Sequence, residues 1–421
     1  MSEEKKHFHL LHKLTGEKSL KRACNRASKN LKKAIYAEKK RLYDNKIHQS
    51  SNKSKTAWSI IISETESISN PLIEQIIYNN EVIKDPTQIA NAFNDYFTSI
   101  STNYQVHPKD DDAMKLLQKN VIPPNSKFSF QTIDLQQLER VINELNLSKF
   151  DNNDSIPSFV FKDYFSIIGP QLLKLINKCI ACNTYPDFLK IATVSPIYKK
   201  KGDKKSPANY RPISVLPTLS KIVEKVLYNQ LVRFFEQGQF LHCNQFGFRR
   251  KKSTIQAIHK LTECIYKALD QGNPVASLHF DFAKAFDLIN HKLLLKKLTS
   301  YLRNRKQRVK IDSTFGHVLS IVYGLSAGVP QGSILGPLLF IIFVNDMPGA
   351  VEFLTYLFAD DTTSIISGPN LDNDCIAAEH EVSSWCAVNA THERNNKTNH
   401  ECYSNVRLVP ISWTSRTIEI I

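Results

Sequence analysis

The chain has 421 residues, 42% hydrophobic and 23% charged, which allows two or three domains with a sizeable core and excludes wholesale disorder. Its formal net charge of +15 points to a polyanionic partner such as nucleic acid or an acidic membrane surface. The charged start MSEEKKHFHLLHK excludes a secretory signal, and the longest apolar run, ILGPLLFIIFV (334–344), is too short to span a bilayer. An intracellular chain, nuclear or cytoplasmic and without a membrane partner, is expected.

Charge is concentrated at the beginning. Met1–Ser54 carries 15 Lys/Arg against 5 Asp/Glu, so +10 of the +15 lies there. Within this segment, residues 18–48 read as a basic helix with a thin apolar stripe through Leu31, Ala34, Ile35 and Leu42. A solvated surface helix and a phosphate contact both fit such a run.

Residues 55–190 read as a helical lead-in. In DPTQIANAFNDYFTSIS (85–101) Asp85 offers an N-cap, Pro86 the first helical position, and Phe93, Tyr96 and Phe97 a core face. A polar, Pro-containing linker follows at 104–131. Helical periodicity then runs through LQQLERVINEL and IIGPQLLKLINKCIACN. The eight cysteines form no regular framework, and Cys179-x-x-Cys182 has no partner pair or histidine cluster to complete a zinc site, so free thiols are expected.

From residue 191 the pattern changes. A β-rich stretch leads through a basic loop at Lys199–Lys201 to a second near Ile213–Leu216, and then a helix. NQFGFRRKKSTIQAI (244–258) is a Gly-containing basic turn capped by Ser253 or Thr254 into another helix. VASLHFDF (275–282) alternates as a strand that runs into Asp281, and GVPQGSILGPLLFIIFVNDM (328–347) is a Gly-Pro loop feeding a buried helix. FLTYLF (353–358) and TTSIIS (362–367) flank Asp360–Asp361 as a hairpin with the carboxylates at its tip.

A lone Asp is an ordinary turn residue. Two in succession between core-like strands repel each other unless a proton or a cation intervenes. If the Asp281 strand lies beside the hairpin, three carboxylates converge at one sheet edge. Such a set suits two Mg²⁺ about 3.5–4 Å apart, holding the attacking and leaving oxygens of an in-line phosphoryl displacement.

In order, ANYRPISVL, QFGFRRKKST, FDFAKAFDLINH, GVPQGSILGPLLF, YLFADDTTSII and WCAVN…NKT resemble the reverse transcriptase of jockey-like non-LTR (LINE-type) retrotransposons. FADD alone would carry little; six motifs in family order over residues 190–398 are specific, and the likeness begins near residue 55. The resemblance implies an α+β right-hand polymerase with fingers and palm, an antiparallel palm sheet backed by helices, in residues 191–398. Residues 1–54 would be a basic helical extension and 399–421 a short tail, with the thumb missing or incomplete.

It further implies an RNA-directed DNA polymerase that adds dNTPs to a DNA primer 3′-OH on an RNA template with two Mg²⁺, or Mn²⁺ in their place. Asp281, Asp360 and Asp361 would be the metal-binding catalytic set, Asp361 tuning more than coordinating. Phe286 would be the bulky gate beneath the sugar, Gln331 and Gly332 would face the nascent base pair, and Arg211 would hold the triphosphate. Arg249 and Arg250 would track the template, with Phe246 or Phe248 as a stacking face, and Lys397 would be the general acid for pyrophosphate. Asp287 and His291 read as residues that fix a helix start.

The chain departs from the family pattern in two places. NHKLLLKKL (290–298) meets SYLRNRKQRVKI (300–311) through Thr299 alone, where members carry a further helical segment, and only 23 residues follow Thr398. With no room for an upstream endonuclease, these departures predict a truncated element. They also keep a second reading open, a catalytically inactive or domesticated remnant that only binds nucleic acid. A telomerase-like or group II intron maturase-like polymerase, which shares the palm, is a third.

Overall fold

The computed structural model describes residues 2–50, 52–65, 72–102, 128–145, 156, 159–282, 286–287, 289, 291, 298–314, 316–389, 403–414 and 417–420, with backbone alone at Ser2, Glu4, Lys5, Lys55, Ile62, Glu64, Thr65, Ser101, Thr102, Asp281, 387–389, 403–414 and 417–420. They fall into two compact units, Met1–Leu72 and Ile73–Ile421.

The first unit is helical: α1 (Ser2–Thr15), α2 (Lys18–Gln49) and α3 (Lys53–Thr65). Gly16, at φ +69°, turns α1 into α2. α2 has 32 residues and buries none of them; Leu20, Ala23, Cys24, Ala27, Leu31 and Ala34, spaced three and four apart, are half-buried.

The second unit opens with a hairpin, β1 (Ile76–Tyr78) and β2 (Glu81–Ile83), joined through Asn79 and Asn80. Both asparagines have positive φ, as a type I′ turn requires. In α4 (Pro86–Thr102) Asp85 caps as expected, its carboxylate accepting from the Gln88 N–H at 2.9 Å. α5 (Leu135–Glu144) starts from an Asp134–Gln137 capping box, and α6 (Phe165–Ala181) follows. Most of the expected linker at 104–131 lies outside the described residues. Its end does not: Phe128 packs on Phe234 at 5.0 Å, and the Gln131 backbone exchanges two hydrogen bonds with the Gln230 amide. Alternating apolar residues in FSFQTI give that stretch a face to bury.

β3 (Ile191–Tyr198) and β4 (Tyr210–Val215) pair antiparallel, and then come α7 (Thr218–Gln237) and α8 (Thr254–Asp270), the latter opened by a Ser253–Gln256 capping box. β4 starts at Tyr210, ahead of the expected Ile213. Its Pro212 is tolerated because β4 is an edge strand. β5 (Val275–Phe282), β6 (Lys306–Ser313), β7 (Gly316–Leu319) and the two-residue β8 (Tyr323–Gly324) precede α9 (Gly336–Phe343), β9 (Leu354–Phe358), β10 (Asp361–Ser367) and α10 (Leu371–Asn389). β11 (Tyr403–Thr414) and β12 (Thr417–Ile420) close the order.

Two sheets result. One is antiparallel throughout, in the order β12-β11-β5-β10-β9. β11 lies on the other side of β5 from β10; Lys397, expected as the general acid, lies outside the described residues. The other runs β4-β3-β6-β7, with β3 and β6 parallel and β8 also on β6. Alternation on β5 divides its side chains: Ala276, Leu278 and Phe280 enter the main core with α5, α6, α7, α9 and α10, while Val275 joins a small cluster under α8. Phe93 and Phe97 of α4 cover the second sheet at Val194, Val309 and Ile311. The seven described cysteines form no disulfide with one another; Cys375 and Cys386 are buried, whereas Cys182 and Cys243 are exposed.

Candidate active site

The two motif carboxylate strands are neighbours. β10 pairs with β5 so that Asp361 lies opposite Asp281, and with β9 so that Asp361 lies opposite Phe358. Ala359 and Asp360 are therefore the whole turn. Ala359 has φ +60°, the conformation a II′ turn asks of its first central residue, where glycine is the default. An alanine there costs about 1 kcal/mol or more. Asp360 is half-buried and Asp361 exposed.

The turn is held from behind by the QFGF stretch. Leu357 N–H donates to Asn244 O at 2.9 Å and Phe246 N–H to Leu357 O at 2.8 Å, a short parallel bridge centred on Gln245. The Gln245 side chain is wholly buried, and its Oε1 accepts from Gly247 N at 2.8 Å and from Ala359 N at 3.3 Å. Gly247 has no room for a side chain: a Cβ would stand 2.1 Å from Ala359 N. In sequence this stretch reads as a basic turn whose arginines track a template; nothing in it marks that Gln245 and Gly247 also pack against the carboxylate hairpin.

In front lies the GVPQG loop. Val329 N–H donates to Phe286 O at 2.8 Å, Gly328 N–H to Ile289 O at 2.9 Å, and the His291 imidazole bonds to Gly328 O at 2.6 Å. Burial pushes the His291 pKa down. The Gln331 amide donates to both oxygens of Asp287 at 3.0 Å. Asp287 and His291, read as helix-start residues, thus tie this loop in place. On its other side Ser214 N–H donates to Gln331 O at 2.7 Å, and a Cβ on Gly332 (φ +120°) would lie 2.5 Å from Ser214 O. Between turn and loop the Phe286 ring stacks on Phe340 at 5.0 Å and meets the half-exposed Phe248 edge-on at 6.2 Å.

Beneath the loop is a residue the sequence reading did not single out. Glu224 of α7 is wholly buried; one carboxylate oxygen accepts from Ile334 N–H at 2.7 Å, the other from the Tyr301 hydroxyl at 3.0 Å. Burial pushes its carboxyl pKa up, and the Arg305 charge opposes that. Arg305 is 1% exposed, donates to Tyr301 O at 3.3 Å and stands 4.7 Å from the Tyr301 ring centre. The signal was a single Glu in the apolar face Ile222, Val223, Val226, Leu227. Tyr301 and Arg305 lie just past the short Thr299 junction, so the segment after it still reaches both the core and, through β6, the second sheet.

The basic residues divide. Arg211 is exposed on edge strand β4 and has no ion-pair partner among the described residues. Arg249 is spent internally: it holds Glu236 in a bidentate pair at 2.7 and 3.0 Å and donates to His242 O at 2.8 Å. Arg250, next in sequence, is exposed and lines a cavity of about 860 Å³ with Lys251, Arg140, Arg233, Phe128 and Phe234. Arg140 and Arg233 sit on α5 and α7, where no local motif marks them. Among the described side chains no group of three carboxylate, histidine or cysteine residues could hold a metal ion; the Asp281 side chain lies outside them. Among the described residues no helix is long and apolar enough to cross a membrane.

Comparison with known proteins shows the family. The family model described as reverse transcriptase (RNA-dependent DNA polymerase) matches residues 198–418. The chain is 26% identical over 415 residues, 92% of its length, to the Probable RNA-directed DNA polymerase from transposon BS of Drosophila melanogaster. It is 34% identical over 186 residues, 41% of its length, to the counterpart from transposon X-element, and 25% identical over 273 residues, 59% of its length, to that from mobile element jockey, both of the same fly. It spans 45%, 20% and 29% of these three relatives, less than half of each.

Proposed function

The chain belongs to the reverse transcriptase (RNA-dependent DNA polymerase) family, and we propose that it copies an RNA template into DNA at the end of the β5–β10 pair. The observation that carries the reading is the register that sets Asp281 opposite Asp361, with Asp360 in the adjoining turn. In this reading the antiparallel sheet is the palm and the β4-β3-β6-β7 sheet belongs to the fingers.

Three aspartates at the ends of neighbouring strands would offer an all-oxygen donor set, which fits Mg²⁺ and accommodates Mn²⁺. Asp281 and Asp360 would hold the ions, with Asp361 tuning them. Bound there, divalent cations would supply an acidified primer hydroxyl and charge neutralisation at the phosphoryl group. The primer 3′-oxygen forms a bond to the α-phosphorus while the bond to the pyrophosphate oxygen breaks. The hydroxyl proton leaves to solvent, and Lys397 would donate a proton to the departing pyrophosphate.

The other residues position the reactants. The Phe286 ring, braced by Phe340, would stand where a 2′-hydroxyl would collide and so favour deoxynucleotides. Gly332 and the Gln331 backbone would let the nascent pair approach closely. Arg211 would clamp the triphosphate. Arg250, joined by Arg140 and Arg233, would hold template phosphates, with Phe248 as a stacking face, and Arg249 would fix the turn that carries them.

Primer extension on an RNA template with the purified chain tests this. The reading predicts a dNTP- and Mg²⁺-dependent product that disappears in Asp360→Asn. No product with Mg²⁺ or Mn²⁺, or one indifferent to Asp360→Asn, overturns it and leaves a protein that only binds nucleic acid.

A further inference from the structure

The long helix of the first unit has a sorted surface. Projected at 3.6 residues per turn, ten of the eleven Lys and Arg of α2 fall within an arc of about 160°. The exception, Arg41, lies outside the arc and is paired with Glu38 at 2.6 Å. The stripe runs from Lys18 to Lys46, about 42 Å at 1.5 Å per residue. The opposite face is the half-buried seam from Leu20 to Ala34. A merely solvated helix has no need to sort its charges this way, since like charges three and four apart repel.

At the middle of the arc stands Tyr36, 74% exposed and contributing nothing to the seam. Lys29, Lys32, Lys33 and Lys40 surround it at helical spacing, all exposed. Phosphate-binding cations around a solvent-facing aromatic ring are what a single strand requires: the backbone takes the charges and an unpaired base takes the ring. An interfacial membrane helix would need its apolar face free, and here the seam is turned into its own unit while the outward face is cationic.

We propose that the outward face of α2 is a binding site for single-stranded nucleic acid, with its lysines and arginines on successive phosphates and Tyr36 stacked on a base. The site acts as a salt-sensitive, sequence-tolerant hold on the strand.

The test uses the full chain and a labelled single-stranded RNA, titrated by fluorescence anisotropy across a salt series. Replacing Lys21, Arg22, Lys29, Lys32, Lys33 and Lys40 by Gln is expected to cut the slope of log K against log salt by about 4, near 0.7 per lost contact, and to weaken binding at least about tenfold. Circular dichroism checks that α2 stays helical, and the matching set with Arg at the five lysines is expected to keep the slope. Tyr36→Ala, a single surface change, should weaken single-strand binding about fivefold or more and leave duplex DNA binding unchanged. A helical six-Gln variant with unaltered slope, or Tyr36→Ala with unaltered single-strand affinity, overturns the proposal. So does loss of binding to phosphatidylserine vesicles with RNA binding intact. Primer extension on a short template is expected to survive the six-Gln change, so failure here is distinguishable from failure of the polymerase reading.

Discussion

The acidic hairpin of β9–β10 and the basic helix α2 are two concentrations of like charge built on opposite terms. Asp360 stands in a turn whose neighbour Ala359 is hydrogen-bonded to Gln245 and lies against a glycine with no room for a methyl group. The α2 cations stand on a helix that buries none of its residues. At the hairpin, like charges are tolerable only at a fixed separation, and the protein spends buried hydrogen bonds to fix it. On the helix no single cation matters, and the charge is a sum along about 42 Å. Single charge substitutions should therefore be severe in the first region and nearly silent in the second.

The largest effect on stability is expected beneath the loop. Glu224→Leu removes the acceptor of Ile334 N–H and Tyr301 O–H and leaves Arg305 as an uncompensated buried charge, a loss of about 3–5 kcal/mol readable in urea unfolding. Glu224→Gln, which keeps the shape and an acceptor oxygen, should cost less. Next comes Gly247→Ala: with a Cβ at 2.1 Å from backbone, about 2–3 kcal/mol of stability is lost and the hairpin tip shifts, taking primer extension with it.

Gly16→Ala sharpens the contrast. A Cβ there meets nothing within 4 Å, so only the left-handed backbone cost of about 1 kcal/mol remains, confined to the first unit. A smaller pH effect belongs to the second unit. Burial pushes the pKa of His242 and His291 down, so folding favours their neutral forms. That stability is complete above the unfolded pKa of about 6.5 and is lost as pH falls below it. A urea midpoint that drops between neutral and mildly acid pH checks the sign. Least of all, Lys32→Gln on α2 should change stability by no more than about 0.5 kcal/mol.

What the sequence made legible was local. Asp85 and Ser253 cap their helices because a side chain three residues from its target needs no tertiary information. The strand ending at Asp281 and the Asp360 hairpin were visible as alternation and turn, and their adjacency is what the β5–β10 register shows. What stayed hidden was long-range. Glu224 gains its role from partners 77 and 110 positions away, and Gln245 from Ala359, 114 away. Arg249 and Arg250 are neighbours in one turn, yet one is folded into Glu236 and the other faces a cavity. No spacing rule separates them, because α7 decides which guanidinium it captures.

The account rests on the carboxylates at the end of the β5–β10 pair acting together as one cation site. Electron paramagnetic resonance of Mn²⁺, titrated into the chain with a bound dNTP, reads that property without requiring turnover. The account predicts that Asp281→Asn and Asp360→Asn each weaken Mn²⁺ binding at least about tenfold, a loss of about 1.4 kcal/mol or more, with the fold intact. Mn²⁺ binding equal in the wild-type chain and both variants would contradict it.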